Sequence, residues 1–286
     1  MDDRLRAQLA AFLDEDLAGG DLTSEAVVAE DRSARGTVRA GAAGILAGVE
    51  ECLALGEIAG VSVEARRGDG DTVAPGDVVL ELTGSARAIL GLERTLLNLL
   101  SHMSGVATVT RRAVDAVAAC HRGGGSPQPP RIAATRKTLP GLRRLQKKAV
   151  VIGGGLPHRF DLGEAVLIKD NHLAVEPDIA TAVARARQAI GTAPIEIEVE
   201  TAADAVVAAR AGADRLLLDN MPPAGVREVV AALQSAGLRN GRLLEASGGI
   251  TMKNVCEYAD TGVDWISMGM LTASPAPIDF SLHFVS

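Results

Sequence analysis

Polar residues end several strand-like segments in the second half of the chain. Lys169 and Asp219 each close an apolar run, Glu198 and Glu245 lie inside two others, and Gly269 follows a fifth. The carboxyl ends of parallel strands meet at one edge of a sheet, which is where β/α enzymes place their chemistry. The spacing therefore predicts one site at that edge.

Acidic and apolar residues alternate over residues 195–200. Glu196, Glu198 and Glu200 share one face of a strand, because successive side chains point to opposite sides. We expect that face to point into the protein, where unpaired charge is costly and the carboxylates need cations or a metal. A solvated edge strand would give the same alternation, but the surrounding β/α pattern favours the buried arrangement.

Two glycine-containing segments are suited to phosphate. Ser247, Gly248 and Gly249 follow a strand and precede a predicted helix, where backbone N–H groups can approach an anion closely. Gly269 follows the next strand along the chain. Phosphate sites of β/α barrels commonly lie after the last two strands, so we interpret these residues as a phosphate cradle.

The positive charge is concentrated in one segment. The whole chain has a net charge of −7, whereas residues 131–172 carry nine basic and three acidic groups, for a net +6. Within this segment, Thr135, Arg136 and Lys137 follow a short strand, and His158 and Arg159 follow three glycines. Arg binds carboxylates bidentately and Lys neutralises phosphate as a point charge. The residues thus favour a ligand with carboxylates and phosphates, beside acidic groups able to take a divalent cation.

The scaffold predicted for these groups is a series of β/α units. Apolar strands alternate with helices at regular spacing, which indicates a parallel sheet covered on both faces and favours a β/α barrel. An open doubly wound sheet remains the alternative, and the absence of an early GxGxxG argues against a dinucleotide fold. The predicted strands cover residues 165–169, 195–200, 215–219, 243–247 and 265–268, and the predicted helices 178–190, 202–211, 224–236 and 253–261.

The chain divides near residue 110. The earlier part begins with an amphipathic helix over residues 5–17, and it has strand-like segments and a long helix from Ala86 to about Val117. A stretch rich in Gly and Pro, residues 122–131, reads as an exposed, mobile loop, most simply an inert insertion.

Composition excludes several classes of function. A charge of −7 and an aromatic content of 2% argue against binding of nucleic acid, and no apolar run approaches the length of a membrane span. Cys52, Cys120 and Cys256 match no metal spacing. We expect three reduced, mostly buried thiols in a soluble cytoplasmic protein.

Eight motifs, in order along the chain, resemble those of the quinolinate phosphoribosyltransferase family, also called carboxylating nicotinate-nucleotide pyrophosphorylases. They are residues 93–98 with 104–108, 135–143 (TRKTLPGLR), 153–159 (GGGLPHR), 167–172 (LIKDNH), 198–200 (EVE), 218–221 (LDNM), 245–250 (EASGGI) and 262–267 (GVDWIS). Glu15-Asp16 and residues 20–23 (GDLT) extend the resemblance to the start of the chain.

The resemblance implies an activity and an architecture. Quinolinate and phosphoribosyl pyrophosphate would give nicotinate mononucleotide, pyrophosphate and CO2 with Mg2+, a step of NAD biosynthesis. The fold would be α/β, an incomplete β/α barrel over residues 111–273 and a smaller α/β sandwich over residues 1–110 rejoined by the tail 274–286. The active unit would be a homodimer with shared sites, or a higher oligomer built from it.

The resemblance also implies residue roles. Lys137, Lys169, Glu198 and Asp219 would be catalytic, with Glu198 and Asp219 holding the Mg2+-bound ribose. The quinolinate carboxylates would meet Arg136, Arg159 and Lys169, together with Arg94 from the partner subunit. The remaining binding residues would be Thr135, His158, Ser247, Gly248, Gly249 and Gly269. One departure is Ala273, where the family often has His.

Three alternatives remain open. A related pyrophosphorylase-like protein associated with molybdenum transport lacks the full Lys-Asp-Asn-His pattern, which this chain has at residues 169–172. An aldolase could form a Schiff base on Lys169. A non-catalytic anion-binding protein would bind quinolinate without releasing CO2.

Overall fold

The computed structural model describes residues 2–124, 126–176 and 178–285. The chain forms two compact units: the first unit is Met1–Val109 with Pro275–Ser286, and the second unit is Thr110–Ser274. Each of these limits lies one residue from the boundary that the sequence predicts.

The first unit begins with α1, whose N-terminus is capped by Asp2, which accepts the Leu5 N–H at 2.9 Å. Leu5, Leu9 and Leu13 form its buried stripe, as the periodicity of the sequence indicates. The elements in order are α1 Asp3–Leu17, α2 Leu22–Val27, β1 Ser33–Ala40, β2 Gly44–Ile45, α3 Val49–Ala59, β3 Ser62–Ala65, β4 Thr72–Val73, β5 Val78–Ser85 and α4 Ala86–Cys120. The residues of α4 from Thr110 onward belong to the second unit.

The second unit alternates strands and helices. Its elements are β6 Arg131–Ala133, α5 Arg143–Ile152, β7 Val166–Ile168, α6 Asp170–Leu173, α7 Ile179–Ile190, β8 Ile195–Val199, α8 Ala202–Arg210, β9 Arg215–Asp219, α9 Pro223–Ser235, β10 Leu243–Ser247, β11 Trp265–Ser267 and α10 Met270–Ala273. The last strand of the chain, β12 Phe280–Val285, belongs to the first unit.

Sheet order explains how each unit is built. In the first unit the antiparallel order is β12-β1-β5-β3, so the C-terminal strand pairs with the first strand of the chain. In the second unit six parallel strands are ordered β6-β11-β10-β9-β8-β7. The end strands β6 and β7 each have one neighbour in this ladder. The predicted α/β fold class is confirmed.

The predicted helix over residues 253–261 is wrong. A 3-10 turn over Val255–Tyr258 occupies this segment instead. Thr251 donates its N–H to the side-chain oxygen of Asn254 at 2.7 Å, a local bond that competes with helical bonding. Cys256, inside the turn, is tied covalently to another element.

That tie corrects the prediction of three reduced, mostly buried thiols. Cys120, at the end of α4, forms a disulfide with Cys256, 136 residues away, and Cys256 is exposed. Cys52 is buried and is the one cysteine outside a disulfide among the described residues. No spacing rule joins positions so far apart, because the fold alone brings them together.

The Gly- and Pro-rich segment 122–131 starts beside the disulfide. Arg122 and Gly124 donate their N–H groups to Asp260 at 2.8 and 3.1 Å, and most of the described residues of the segment are at least partly exposed. Gly125 lies outside the described residues. None of the helices that the structure describes has both the length and the apolar character needed to cross a bilayer.

We expect loss of the disulfide to destabilise the protein. A bond that closes a loop of this length restricts the unfolded chain, so the double variant Cys120→Ser/Cys256→Ser should lose about 2–4 kcal/mol of unfolding free energy. Chemical denaturation measures the change. Reductant should lower the stability of the wild type and leave the double variant unaffected; alkylation of both cysteines without reductant would contradict the disulfide.

Candidate active site

The carboxyl ends of the parallel strands surround a cavity of about 730 Å³ in the second unit. All the predicted site residues of this unit line it, namely Thr135, Arg136, Lys137, His158, Arg159, Lys169, Glu198, Asp219, Ser247, Gly248, Gly249 and Gly269. Arg94 lies in the first unit, exposed on α4.

Strand β8 carries its carboxylates inward. Glu196 and Glu198 are 2% and 7% exposed, and β8 lies between β7 and β9, so the alternative of a solvated edge strand is wrong. Lys169, just after β7, pairs with the Glu198 carboxylate at 2.5 Å. Glu200 departs from the expectation: it lies beyond the end of β8, is exposed, and lines a smaller cavity of about 200 Å³.

Glu198 and Asp219 form an acidic pair on the cavity wall. Burial raises the pKa of Asp219, and the charge of Glu198 raises it further, while Lys169 opposes them. Two neighbouring carboxylates favour a bound cation, and such hard oxygen ligands suit Mg2+. The residues present therefore fit the predicted metal.

A second acidic pair, Glu196 and Glu245, faces His158. Its Nε2 lies 3.1 Å from a Glu245 oxygen and 3.6 Å from Glu196, and the side chains of both glutamates are at most 2% exposed. Burial lowers the pKa of His158, but the hydrogen bonds and charges of Glu196 and Glu245 outweigh it and raise the pKa to about 9. Trp265 packs edge-on against the imidazole.

His158 and Glu245 compete for one proton beyond the Nε2–H. Arg159 donates its N–H to His158 Nδ1 at 2.7 Å, a contact open only to a ring without a proton on Nδ1. Burial and the charge of Glu196 raise the pKa of Glu245, so the proton can reside on this carboxyl instead. His158 and Glu245 therefore titrate together.

Two arginines present donors to the cavity. Arg159 is 8% exposed and is anchored by a hydrogen bond from its Nη1 to the Ala165 carbonyl at 3.0 Å. Burial lowers its pKa, and so does the neighbouring charge of Arg136. The Nε of Arg136 is buried and has no partner within the part of the chain that the structure describes. Such a donor calls for an anion.

Glycine is required at another part of the cavity wall, formed by Gly248, Gly249 and Gly269. Gly248 has φ +86°, and a Cβ there would lie 2.2 Å from the side-chain oxygen of Asn220. Gly249 follows with φ +62°, so both positions require the conformational freedom of glycine. At Gly269 a Cβ would lie 3.0 Å from the Lys137 side chain, which crosses this glycine.

Comparison with known proteins agrees with this geometry. The family model for the quinolinate phosphoribosyl transferase C-terminal domain matches residues 106–283, and the model for the N-terminal domain matches residues 21–104. The chain belongs to this family. The prediction from the motifs is thereby confirmed.

Individual relatives cover nearly the whole chain. A probable carboxylating nicotinate-nucleotide pyrophosphorylase of Methanothermobacter thermautotrophicus is 44% identical over 94% of both chains. The Mycobacterium leprae protein of that name is 41% identical, covering 98% of this chain and 97% of its own. The crystal structure of NadC from Streptococcus pyogenes superposes with a TM-score of 0.88 at 34% identity, over 99% of this chain and 98% of that one.

Some residues that support this quinolinate phosphoribosyl transferase site were not predicted. Gln146, fully buried, accepts the Leu139 N–H at 3.0 Å and donates to the Thr272 carbonyl at 2.8 Å. Thr272 in turn donates to the Lys137 carbonyl at 2.7 Å. Together they hold the loop that carries Arg136 and Lys137. The sequence offers one signal of this role: Gln146 is a polar residue next to Leu145 on the apolar face of α5.

The shared proton should make stability depend on pH. His158 would release its proton near pH 6.5 when unfolded but near 9 in the fold. Its stabilising contribution is therefore complete below pH 6.5 and lost as the pH rises through 9, up to about 3 kcal/mol. Urea denaturation from pH 6 to 9.5 measures it. Glu245→Gln should flatten this part of the profile; an unchanged slope in that variant would contradict the cluster.

Proposed function

We propose that this protein is a quinolinate phosphoribosyltransferase, which converts quinolinate and phosphoribosyl pyrophosphate to nicotinate mononucleotide, pyrophosphate and CO2 with Mg2+. The observation that carries the proposal is the composition of one cavity. It combines arginine forks for carboxylates, a glycine cradle for phosphate and an acidic pair for a divalent cation. The reaction needs all three in one place.

Quinolinate has two adjacent carboxylates on a pyridine ring. In our proposal Arg136 and Arg159 bind them, since guanidinium forks match carboxylate geometry and Arg136 has a buried donor to satisfy. His158 and Lys169 complete this basic wall, and Thr135 lies beside it. The low exposure of Arg159 strengthens its attraction for an anion, because little water screens it.

Phosphoribosyl pyrophosphate would lie along the part of the cavity wall that the glycine segments form. Ser247, Gly248, Gly249 and Gly269 would hold the 5′-phosphate through close backbone approach, and Lys137 would neutralise the pyrophosphate. Glu198 and Asp219 would hold Mg2+ at the ribose, directly or through water. When bound, Mg2+ would neutralise charge on the departing pyrophosphate.

The chain's residues then act mainly by position and charge. The bond from C1′ to the pyrophosphate oxygen breaks, and Glu198 and Asp219 stabilise the cationic carbon. The ring nitrogen, aligned by the arginines, donates its electron pair to C1′. The ring becomes positively charged and accepts the electrons of the adjacent C–CO2 bond. CO2 leaves, and the ring carbon takes up a proton.

Two finer parts of the proposal concern assembly and location. Arg94 is exposed on α4, and we propose that it completes the site of the partner subunit in a homodimer. We also propose a cytoplasmic location, on the grounds of the substrates alone, because the cysteine argument is lost with the disulfide.

The central prediction concerns CO2 release. Wild-type protein should release labelled CO2 from carboxyl-labelled quinolinate only when phosphoribosyl pyrophosphate and Mg2+ are present. Lys137→Ala and Arg159→Ala should each lower kcat/KM by about 100-fold or more, since each removes a charge from a water-poor site. Lys253→Ala and Arg227→Ala, exposed residues outside the cavity, are the matched controls and should retain full activity.

The same assay separates the alternatives. Binding of quinolinate without CO2 release would indicate an anion-binding protein. Borohydride trapping of a carbonyl substrate on Lys169 would indicate an aldolase, although such an amine must first leave its ion pair with Glu198. Near-normal turnover in Lys137→Ala or Arg159→Ala would remove that residue from the site.

The dimer proposal predicts rescue between inactive variants. Arg94→Ala and Lys137→Ala homodimers should both be inactive, whereas their mixture should regain about a quarter of the wild-type activity, because half of the dimers are mixed and each of these has one intact site. Activity is measured after subunit exchange, which tagged subunits confirm. Exchange without recovery would contradict a shared site.

A further inference from the structure

The segment Pro157–Arg159 carries two residues of the cavity in a backbone conformation that needs support. His158 has φ +53°, and Asn220 is the only other non-glycine residue with positive φ in the described part of the chain. A residue with a Cβ reaches this region at a cost in free energy and stays there only when its surroundings hold it. The contacts around this segment therefore show what holds it.

One holding group is a lysine on α5. Lys147 is 2% exposed, and its Nζ donates to the carbonyl oxygens of Pro157 and Arg159, the latter at 2.6 Å. These carbonyls flank His158 on either side. Lys147 does not line the cavity, so it reaches the segment from behind.

The charges around Lys147 show that its burial is unfavourable by itself. Burial lowers its pKa to about 8, and Arg143, Arg136 and Arg159 act in the same direction, with only Glu164 opposing them. A buried ammonium among guanidinium groups is tolerated when carbonyls accept its protons. The carbonyls of Pro157 and Arg159 do so.

The segment is held from the other side by the strands. His158 bonds to Glu245 of β10, and Arg159 bonds to the Ala165 carbonyl. Because Lys147 also binds the backbone of this segment, the backbone positions of His158 and Arg159 are held. Loss of the Lys147 donors would let the backbone of this segment move, although His158 and Arg159 would still be present.

We propose that Lys147 is a positioning residue: by binding the carbonyls on either side of His158, it holds His158 on Glu245 and directs Arg159 toward a substrate carboxylate. This inference rests on the proposed function, in which Arg159 binds quinolinate. Lys147 itself touches no substrate. Ser247, Gly248, Gly249 and Gly269 of the phosphate cradle lie outside the segment that Lys147 holds, so the main effect of Lys147 should be on the carboxylate substrate.

The test uses Lys147→Met, which preserves length and apolar bulk but removes the donors. We expect the KM for quinolinate to rise about tenfold or more, as small displacements of binding groups do, with the KM for phosphoribosyl pyrophosphate within about twofold of wild type. Lys148→Met, the adjacent half-exposed lysine of the same helix, is the matched control and should leave both constants unchanged.

A second variant covers the case in which Lys147→Met fails to fold. Lys147→Gln keeps two N–H donors on a chain one bond shorter, so the quinolinate KM should rise about threefold. Wild-type KM values in either folded variant, or equal rises for both substrates, would overturn the inference. Absence of CO2 release and of quinolinate binding by the wild type would instead overturn the proposed function, and this inference with it.

Discussion

Carboxylates buried inside a parallel sheet must be matched by cations, and this requirement organises the second unit. Glu196 and Glu198 lie on β8 and Glu245 lies on β10, and each is no more than 7% exposed. Of their partners, Lys169 directly follows β7, and His158 lies in the segment between α5 and β7. Since an unpaired buried charge costs several kcal/mol, the loops cannot move away without destabilising the sheet. The rigidity of the site thus follows from the electrostatics of the core.

The same requirement explains the uneven charge of the chain. The basic segment 131–172 supplies the cations that the sheet needs and, in the same loops, the groups proposed to bind anionic substrates. Burial and the neighbouring charge of Arg136 both lower the pKa of Arg159, as expected of a site with an excess of positive charge. An anionic ligand would therefore compensate the positive charge that the protein itself leaves uncompensated at this site.

Sequence reasoning predicted most of this site because its signals are local. Period-two alternation placed Glu196 and Glu198 inside, and the position of Lys169 and Asp219 at strand ends placed them at one edge. Sequence reasoning failed for contacts between residues that are distant in sequence. The disulfide of Cys120 with Cys256 has no local signal in the sequence. Cys256 lies in the short turn that is found where a helix was predicted. Gln146 and Lys147 resemble ordinary helix residues until the loops that they hold are known.

The pairing of β12 with β1 has a consequence for the order in which a newly made chain can fold. The first unit's sheet lacks an edge strand until Phe280–Val285 has left the ribosome, whereas the second unit is continuous in sequence and is complete some residues earlier. Contacts between segments far apart in sequence are slow to form. During synthesis β1 therefore keeps an unpaired edge until β12 is made, and this edge can associate with other chains.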